Sequence, residues 1–258
     1  MSRFSVAVLL AAAAVSGTAL AKEKVRLLAD SEYPPYVAGS GAATKGMYVD
    51  ILKAAADRMT DYEVEIDGVP WKRGLKDIED GTALGIVPPY KRPDSRPWMQ
   101  PYSEVLFEEQ IVVYCHSDAA AKVAGAAFPA GYKGLSFGNN AGFQASPDLL
   151  AMSQKGEVKI EEAQTTEANL RKLVAGRIDC YSNDKVGIDS VLASIPAGQR
   201  SKQPVETAVV QKEAAFVGYS SGFQAPYKAD FIAKLDAALK AIKADGTLDA
   251  IVKRYTGM

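Results

Sequence analysis

VRLLADSEYPPY, residues 25–36, is the stretch on which the fold turns. VRLL has the length and apolar character of a buried strand, and it ends in a turn where Tyr33 and Tyr36 flank a Pro-Pro pair. Proline fixes φ and bars a helix, so two large rings stand on a stiffened turn at a strand's carboxyl end. Outward from there the pattern alternates. In GMYVDILKAAADRM, Tyr48, Ile51, Leu52, Ala55 and Met59 recur at helical spacing; YEVEIDGV then alternates as a strand. WKRGLKDIEDG is a short amphipathic helix stopped by Gly81, and TALGIVPPY a second buried strand ending in another Pro-Pro-Tyr turn. FEEQIVVYC, residues 107–115, reads as a longer strand.

The alternation then restarts. GLSFGNN reads as a strand, SPDLLAMSQKG as a helix with Ser146 as its cap, and VKIEEAQ as a strand. TTEANLRKLVAG is the next helix, with Thr166 three residues ahead of Asn169 as an imperfect capping box; RIDCYSND is the next strand. AAFVGYSS adds a strand, and FIAKLDAALKAIKADGTLDAIVKRY two helices broken at Gly246. Strand–helix alternation run twice predicts an α/β protein of two doubly wound lobes, with parallel sheets covered on both faces. Ligands of such sheets sit outside the carboxyl ends of the strands, where the YPPY turn, the PPYKRPDSR turn and YSND all fall.

Composition narrows the function. MSRFSVAVLLAAAAVSGTALA, residues 1–21, has a positive start at Arg3, an apolar run from Phe4 to Val15 and a small-x-small end at Ala19-Leu20-Ala21. That is the pattern of a cleaved secretory signal peptide, its apolar run too short to span a bilayer, and it predicts export to the periplasm. The roughly 240 residues that remain exceed a typical single domain and favour two lobes or one large α/β unit. Lys and Arg number 30 against 31 Asp and Glu, with no basic cluster on one helix, which argues against nucleic acid as a partner. His116 is the only histidine and no CxxC spacing is present, so no metal site is expected. The exported compartment permits a disulfide between Cys115 and Cys180, which both fall on strands of the second half; two buried thiols are the alternative.

ADSEYPPY, WKRGLKDIEDGTALGI leading into VPPYKRPDSR, PYSE, LRKLVAGRIDCYSND and the terminal LDAALKAIKADGTLDAIVKRY follow one another in an order and spacing that resemble a known family. It is the periplasmic solute-binding proteins of family 3, which serve polar amino acid ABC transporters, and the likeness covers nearly all of residues 22–258. The resemblance implies a type II periplasmic-binding-protein fold, two lobes joined by two crossing strands that close on a small solute. Lobe 1 would take residues 22–110 plus 210–258, and lobe 2 residues 111–209.

Carried over by position, Tyr33 resembles the ring that lies over the solute and Trp71 a second aromatic wall. Arg96 falls on the arginine that clamps the solute carboxylate, and Asp184 on the acid that receives its ammonium. The turn AGFQAS would offer Gly142, Phe143 and Gln144 at a helix N-terminus, with backbone N–H groups for the carboxylate. The chemistry suits those roles: a guanidinium fork matches a carboxylate, and an ammonium needs a buried acid beside it.

The chain also departs from the family pattern. Pro88, Pro89, Tyr90 and Lys91 stand where members carry small hydroxyl residues, which brings Tyr90 into the expected ligand set. Leu84 replaces an acid, and Phe143 and Gln144 replace threonines. Lys91 and Arg92 either favour a second acidic group on the solute or are solvated charges beside a loop. Tyr36 is read as packing or ligand contact, Trp98 as packing, and Asp30 as a turn former ahead of a reader of a basic side chain on the solute. Asp179 is read as closing a helix-to-strand turn, and Asp189 as solvated.

The resulting expectation is a monomeric, non-catalytic binding protein without cofactor. It captures an amino acid or related carboxylate and delivers it to an inner-membrane ABC permease. One alternative keeps the fold and presents the solute to a membrane receptor. Another is a dehydratase-like enzyme, for which Glu32 is the only carboxylate suspected, since His116 lies on the crossing strand.

Overall fold

The computed structural model describes residues 21–257, so the expected leader lies outside the described residues but for Ala21. The chain begins with β1 (Glu23–Asp30), a two-strand ribbon of β2 (Glu32–Tyr33) and β3 (Val37–Ala38), then α1 (Met47–Ala56) and β4 (Tyr62–Val69). Next come α2 (Trp71–Glu79), β5 (Gly85–Val87), β6 (Met99–Tyr102) and the long β7 (Phe107–His116). The middle of the chain holds α3 (Ser117–Lys122), β8 (Ser136–Asn140), α4 (Pro147–Gln154), β9 (Lys159–Ala163) and α5 (Thr166–Val174). It goes on through β10 (Cys180–Asp184), α6 (Lys185–Ser194) and β11 (Pro204–Ala215) to β12 (Gly218–Ser220), α7 (Lys228–Ala244) and α8 (Thr247–Thr256).

Two five-stranded sheets result, in the orders β4-β1-β5-β12-β6 and β11-β7-β10-β8-β9, and they form the two lobes of an α/β fold. The first is parallel from β4 through β5, but β12 runs antiparallel to both β5 and β6. In the second, β8, β9 and β10 are parallel while β7 runs antiparallel to β10 and β11. The expected all-parallel sheets are therefore mixed. β7 and β12, the first strands the chain lays into the second and first sheets on arriving from the other lobe, run against the βαβ direction, and antiparallel neighbours need no crossover helix.

Local chemistry places the ends of the elements. Ser146 caps α4 through Leu149, as its position suggests. The cap of α5 is Thr165, which accepts from the Ala168 N–H at 3.0 Å; Thr166, expected there, is buried among Asn140, Tyr181 and Asn183 instead. Periodicity missed α6, whose Gly187, Asp189 and Ser190 are weak helix formers; the helix starts because Asp184 caps it through the Gly187 N–H at 2.7 Å. It also missed β11, a sheet-edge strand with two register shifts and little alternation of burial. Gly68 on β4 faces the Gly39 carbonyl so closely that a Cβ would lie 1.9 Å from it.

The first lobe packs Leu27, Ile51, Leu52, Phe231, Leu235 and Ile242 into one core, and Trp98 lies against a neighbouring cluster with Met99. In the second, Cys115 and Cys180 are direct cross-strand partners on β7 and β10, and they form a disulfide. That closes the alternative of two thiols. Asp179 does not close a turn but accepts from the backbone and hydroxyl of Ser136, at 2.8 and 2.7 Å. Asp189 is exposed, as read, and it takes the Tyr114 hydroxyl at 2.6 Å and Lys185 at 3.1 Å.

Candidate functional site

The turns after β1 and β5 meet the turn after β8 in a cleft between the lobes. One cavity there is lined by Asp30, Tyr33, Trp71, Pro88, Pro89, Tyr90, Arg92, Arg96, Phe143 and Gln144. Seven of these come from strand-end turns of the first lobe or their continuation, two from the second lobe, and Trp71 opens α2. The space within is ≈ 30 Å³, room for a water or two, so a solute of amino acid size requires the lobes to part.

Aromatic rings set the shape. Phe143, from the second lobe, packs edge-on against Tyr33 at 5.5 Å and against Trp71 at 5.9 Å. Its place is thus between the two first-lobe rings, and the three form one apolar wall. Arg96 stands over the Trp71 ring at 5.8 Å and donates to the Gly142 carbonyl at 3.0 Å. Trp71 Nε1 donates to the same carbonyl at 3.3 Å. Among the described residues Arg96 has no carboxylate partner, and burial pulls its pKa below the usual arginine value.

Two expected details change. The turn at Gly142 and Phe143 does not present its N–H groups to the cleft: Gly142 donates to the Glu162 carboxylate and Phe143 to the Asn140 carbonyl. It lies ahead of the cap Ser146 rather than at the helix start, and it offers Arg96 a carbonyl. Gln144 accepts instead from Ser95 Oγ across the cleft at 2.8 Å. Asp184 does not line the cavity. It is fully buried behind Tyr33 and Tyr36, and its Oδ2 accepts from the Tyr36 hydroxyl at 2.7 Å as well as from Gly187. Among the described residues Oδ1 of Asp184 is buried without a hydrogen-bond partner. Burial raises its pKa to about 6.

The acid that does reach the cavity is Asp30. It forms the turn as read, accepting from the Glu32 N–H at 3.1 Å, and it also lines the space, 2% exposed. Burial lifts its pKa to about 7. Arg92 is not free for a solute acid, because Glu213 takes its guanidinium at 3.2 and 2.5 Å. Lys91 is exposed and lies over the Phe216 ring at 4.3 Å. Glu32 is exposed and His116 caps α3 through Ala119, so neither belongs to the cavity.

Sequence reading missed one residue altogether. Glu109, at the start of β7, is fully buried and accepts hydroxyls from Tyr33 at 2.6 Å, Tyr48 and Tyr90. The signal was present: Glu109 shares the strand face of Ile111, Val113 and Cys115, which is an inward face.

The family model of the bacterial extracellular solute-binding proteins, family 3, matches residues 25–258. The chain belongs to that family. Among curated proteins no sequence match is found. Solved structures give the fold. An arginine-, lysine-, histidine-binding protein, ArtJ of Geobacillus stearothermophilus, is 18% identical, with a TM-score of 0.68 over 92% of this chain and 96% of that one. A structure described for glutathione import via GshT and the cystine ABC importer TcyBC of Streptococcus mutans is 16% identical, with a TM-score of 0.74 over 92% and 96%. A histidine kinase sensor domain with similarity to periplasmic binding proteins is 16% identical, with a TM-score of 0.73 over 92% and 97%. Members of this family are solute-binding proteins by description, and this chain has the two-lobed architecture of the solved structures at low identity.

Proposed function

We propose that the protein captures a small zwitterionic solute, an amino acid or close relative, between its lobes for ABC-type import from the periplasm. Lobe 1 (residues 22–110 plus 210–258) and lobe 2 (residues 111–209) exchange within β7 and again within β11. The observation that carries the reading is Arg96, a guanidinium drawn into the cleft with a carbonyl for company and no carboxylate among the described residues. Such a charge is costly to bury until a carboxylate meets it, and a solute carboxylate meets it only when the lobes close. Tyr33, Trp71, Tyr90 and Phe143 supply apolar walls, and Asp30 gives the cationic end of the solute an acid in the same cavity. Asp184 lies one layer deeper and acts through Tyr36 and the start of α6.

A thermal-shift screen against amino acids, dicarboxylates and polyamines tests this. A solute at a hundred times its Kd adds about 2.7 kcal/mol of stability. For a chain of this size that is a rise of about 5–10 °C in Tm. The expected hit bears a carboxylate and vanishes in Arg96→Ala. A hit that survives the substitution, or stabilisation by carboxylate-free polyamines alone, overturns the reading.

A further inference from the structure

We propose that the solute ends in a neutral amide, received by a second chamber of the cleft. The inference rests on the solute-binding reading above and extends it to the far end of the solute. A second cavity of ≈ 30 Å³ shares four of its walls with the first: Tyr90, Arg92, Phe143 and Gln144. Tyr90 and Arg92 belong to lobe 1, Phe143 and Gln144 to lobe 2, so each half of the molecule supplies half of the partition. The partition is complete only while the lobes are together. When they part, the chambers become one space, and a solute held at Arg96 and Asp30 extends past Tyr90 and Phe143 into the second.

The two chambers differ in chemistry. The first has aromatic walls, the unpaired Arg96 and Asp30. Beyond the partition the polar walls of the second are Asn139, Ser146, Ser182, Asn183, Gln211 and Glu213. Its only charges, Arg92 and Glu213, are spent on each other at 3.2 and 2.5 Å. A charged tail would lie there without a counter-ion, at a large cost. An apolar tail would cover polar atoms that need partners. Asn139 Nδ2 donates to the carbonyls of Asn140 and Phe143, and Asn183 Nδ2 to the hydroxyls of Tyr181 and Thr166. Those bonds fix both amides and leave both Oδ1 atoms without a donor among the described residues. Gln144 Oε1 accepts from Ser95, which leaves its Nε2 to donate, and the Ser182 hydroxyl has no partner among the described residues. Two acceptors, one amide donor and a hydroxyl suit a guest that donates and accepts at once, as a carboxamide or urea does.

Titration calorimetry with four amino acids of similar length reads the tail. Glutamine carries the amide, glutamate a carboxylate of the same shape, lysine an ammonium and norleucine no polar group. Glutamine is expected to bind about tenfold tighter than the other three. Ser182→Ala removes a hydroxyl that holds nothing within the protein, so it should weaken glutamine about fivefold and leave norleucine unchanged. Glutamine bound no tighter than any one of the other three, or an equal loss for glutamine and norleucine in Ser182→Ala, overturns the proposal. Should none of the four bind, ligand-observed NMR with propionamide, an amide without a carboxylate, takes their place. A propionamide signal that persists in Arg96→Ala and weakens in Ser182→Ala upholds the second chamber. No signal in the wild type, or one untouched by Ser182→Ala, overturns it. Loss of carboxylate dependence at Arg96 sinks the proposed function while the amide preference still stands, so the two readings fall separately.

Discussion

At the residue scale, Arg96 depends on the shape of its side chain as much as on its charge. Arg96→Lys keeps the charge and loses the planar fork, so affinity for the solute found in the screen should fall about thirtyfold, or about 2 kcal/mol. Titration calorimetry of both proteins decides it, and a change under threefold would mean that Arg96 acts only as a point charge. Much of this site was legible as text. Tyr33, Trp71, Tyr90, Arg96, Phe143 and Gln144 were singled out by position, and one cavity gathers them. Asp30, Asp184 and Glu109 were harder. Asp30 does what turn chemistry asks and lines the cavity besides, so the two roles set against each other in the sequence reading are held by one side chain. Asp184 ends its strand as expected, yet two tyrosines stand in front of it, and their height depends on packing in three dimensions. Glu109 in FEEQIVVYC looks like one of two exposed acids, because its hydroxyl partners lie 19, 61 and 76 residues away.

At the scale of elements, strands bounded by turn residues and helices of clear period were read well: β1, α1, β4, α2, β8 and the α7–α8 pair all stand close to their sequence limits. Among the elements that escaped, β11 and α6 have polar or weakly periodic sequences and exist because neighbours hold them. β11 pairs with β7 along nearly its whole length, and α6 grows from the Asp184 cap. The disulfide belongs to this scale too. It joins adjacent strands across 65 residues of chain, and in the chain-entropy model a closed loop of that length stabilises the fold by about 4 kcal/mol. Reduction, or Cys115→Ser with Cys180→Ser, should therefore lower the urea midpoint clearly while leaving the unfolding slope close to that of an intact two-lobe protein. An unchanged midpoint would show that the bridge adds nothing to stability.

At the scale of the whole molecule, three buried acids set how stability follows pH. Asp30, Asp184 and Glu109 have pKa values raised to about 7, about 6 and about 8 in the fold, against 3.8, 3.8 and 4.5 as ordinary values. A carboxyl held above its unfolded value favours the fold fully below that value, and the contribution is lost as pH rises through the folded one. Stability should therefore be higher near pH 5 than near pH 8.5, with most of the decline between pH 4 and 8. Asp245, held down to about 2 by Thr247 and Arg58, weakens the fold only in stronger acid. Urea midpoints measured across that range, with Asp30→Asn flattening the section up to about pH 7, provide the check; a midpoint that climbs with pH would contradict the assignment. The two-lobed plan was legible from strand and helix order, whereas the mixed direction of the sheets was not, since a strand's sequence says little about which way its neighbour runs.

Cys115 and Cys180 face each other on the strands that carry Glu109 and Asp184. A slip of one position between these strands would turn one acid to the opposite side of the sheet, and the sulfur tie forbids it. Whatever stroke separates the halves, the pairing of these two strands, and with it the side of the sheet on which each acid stands, stays as the sulfurs set it.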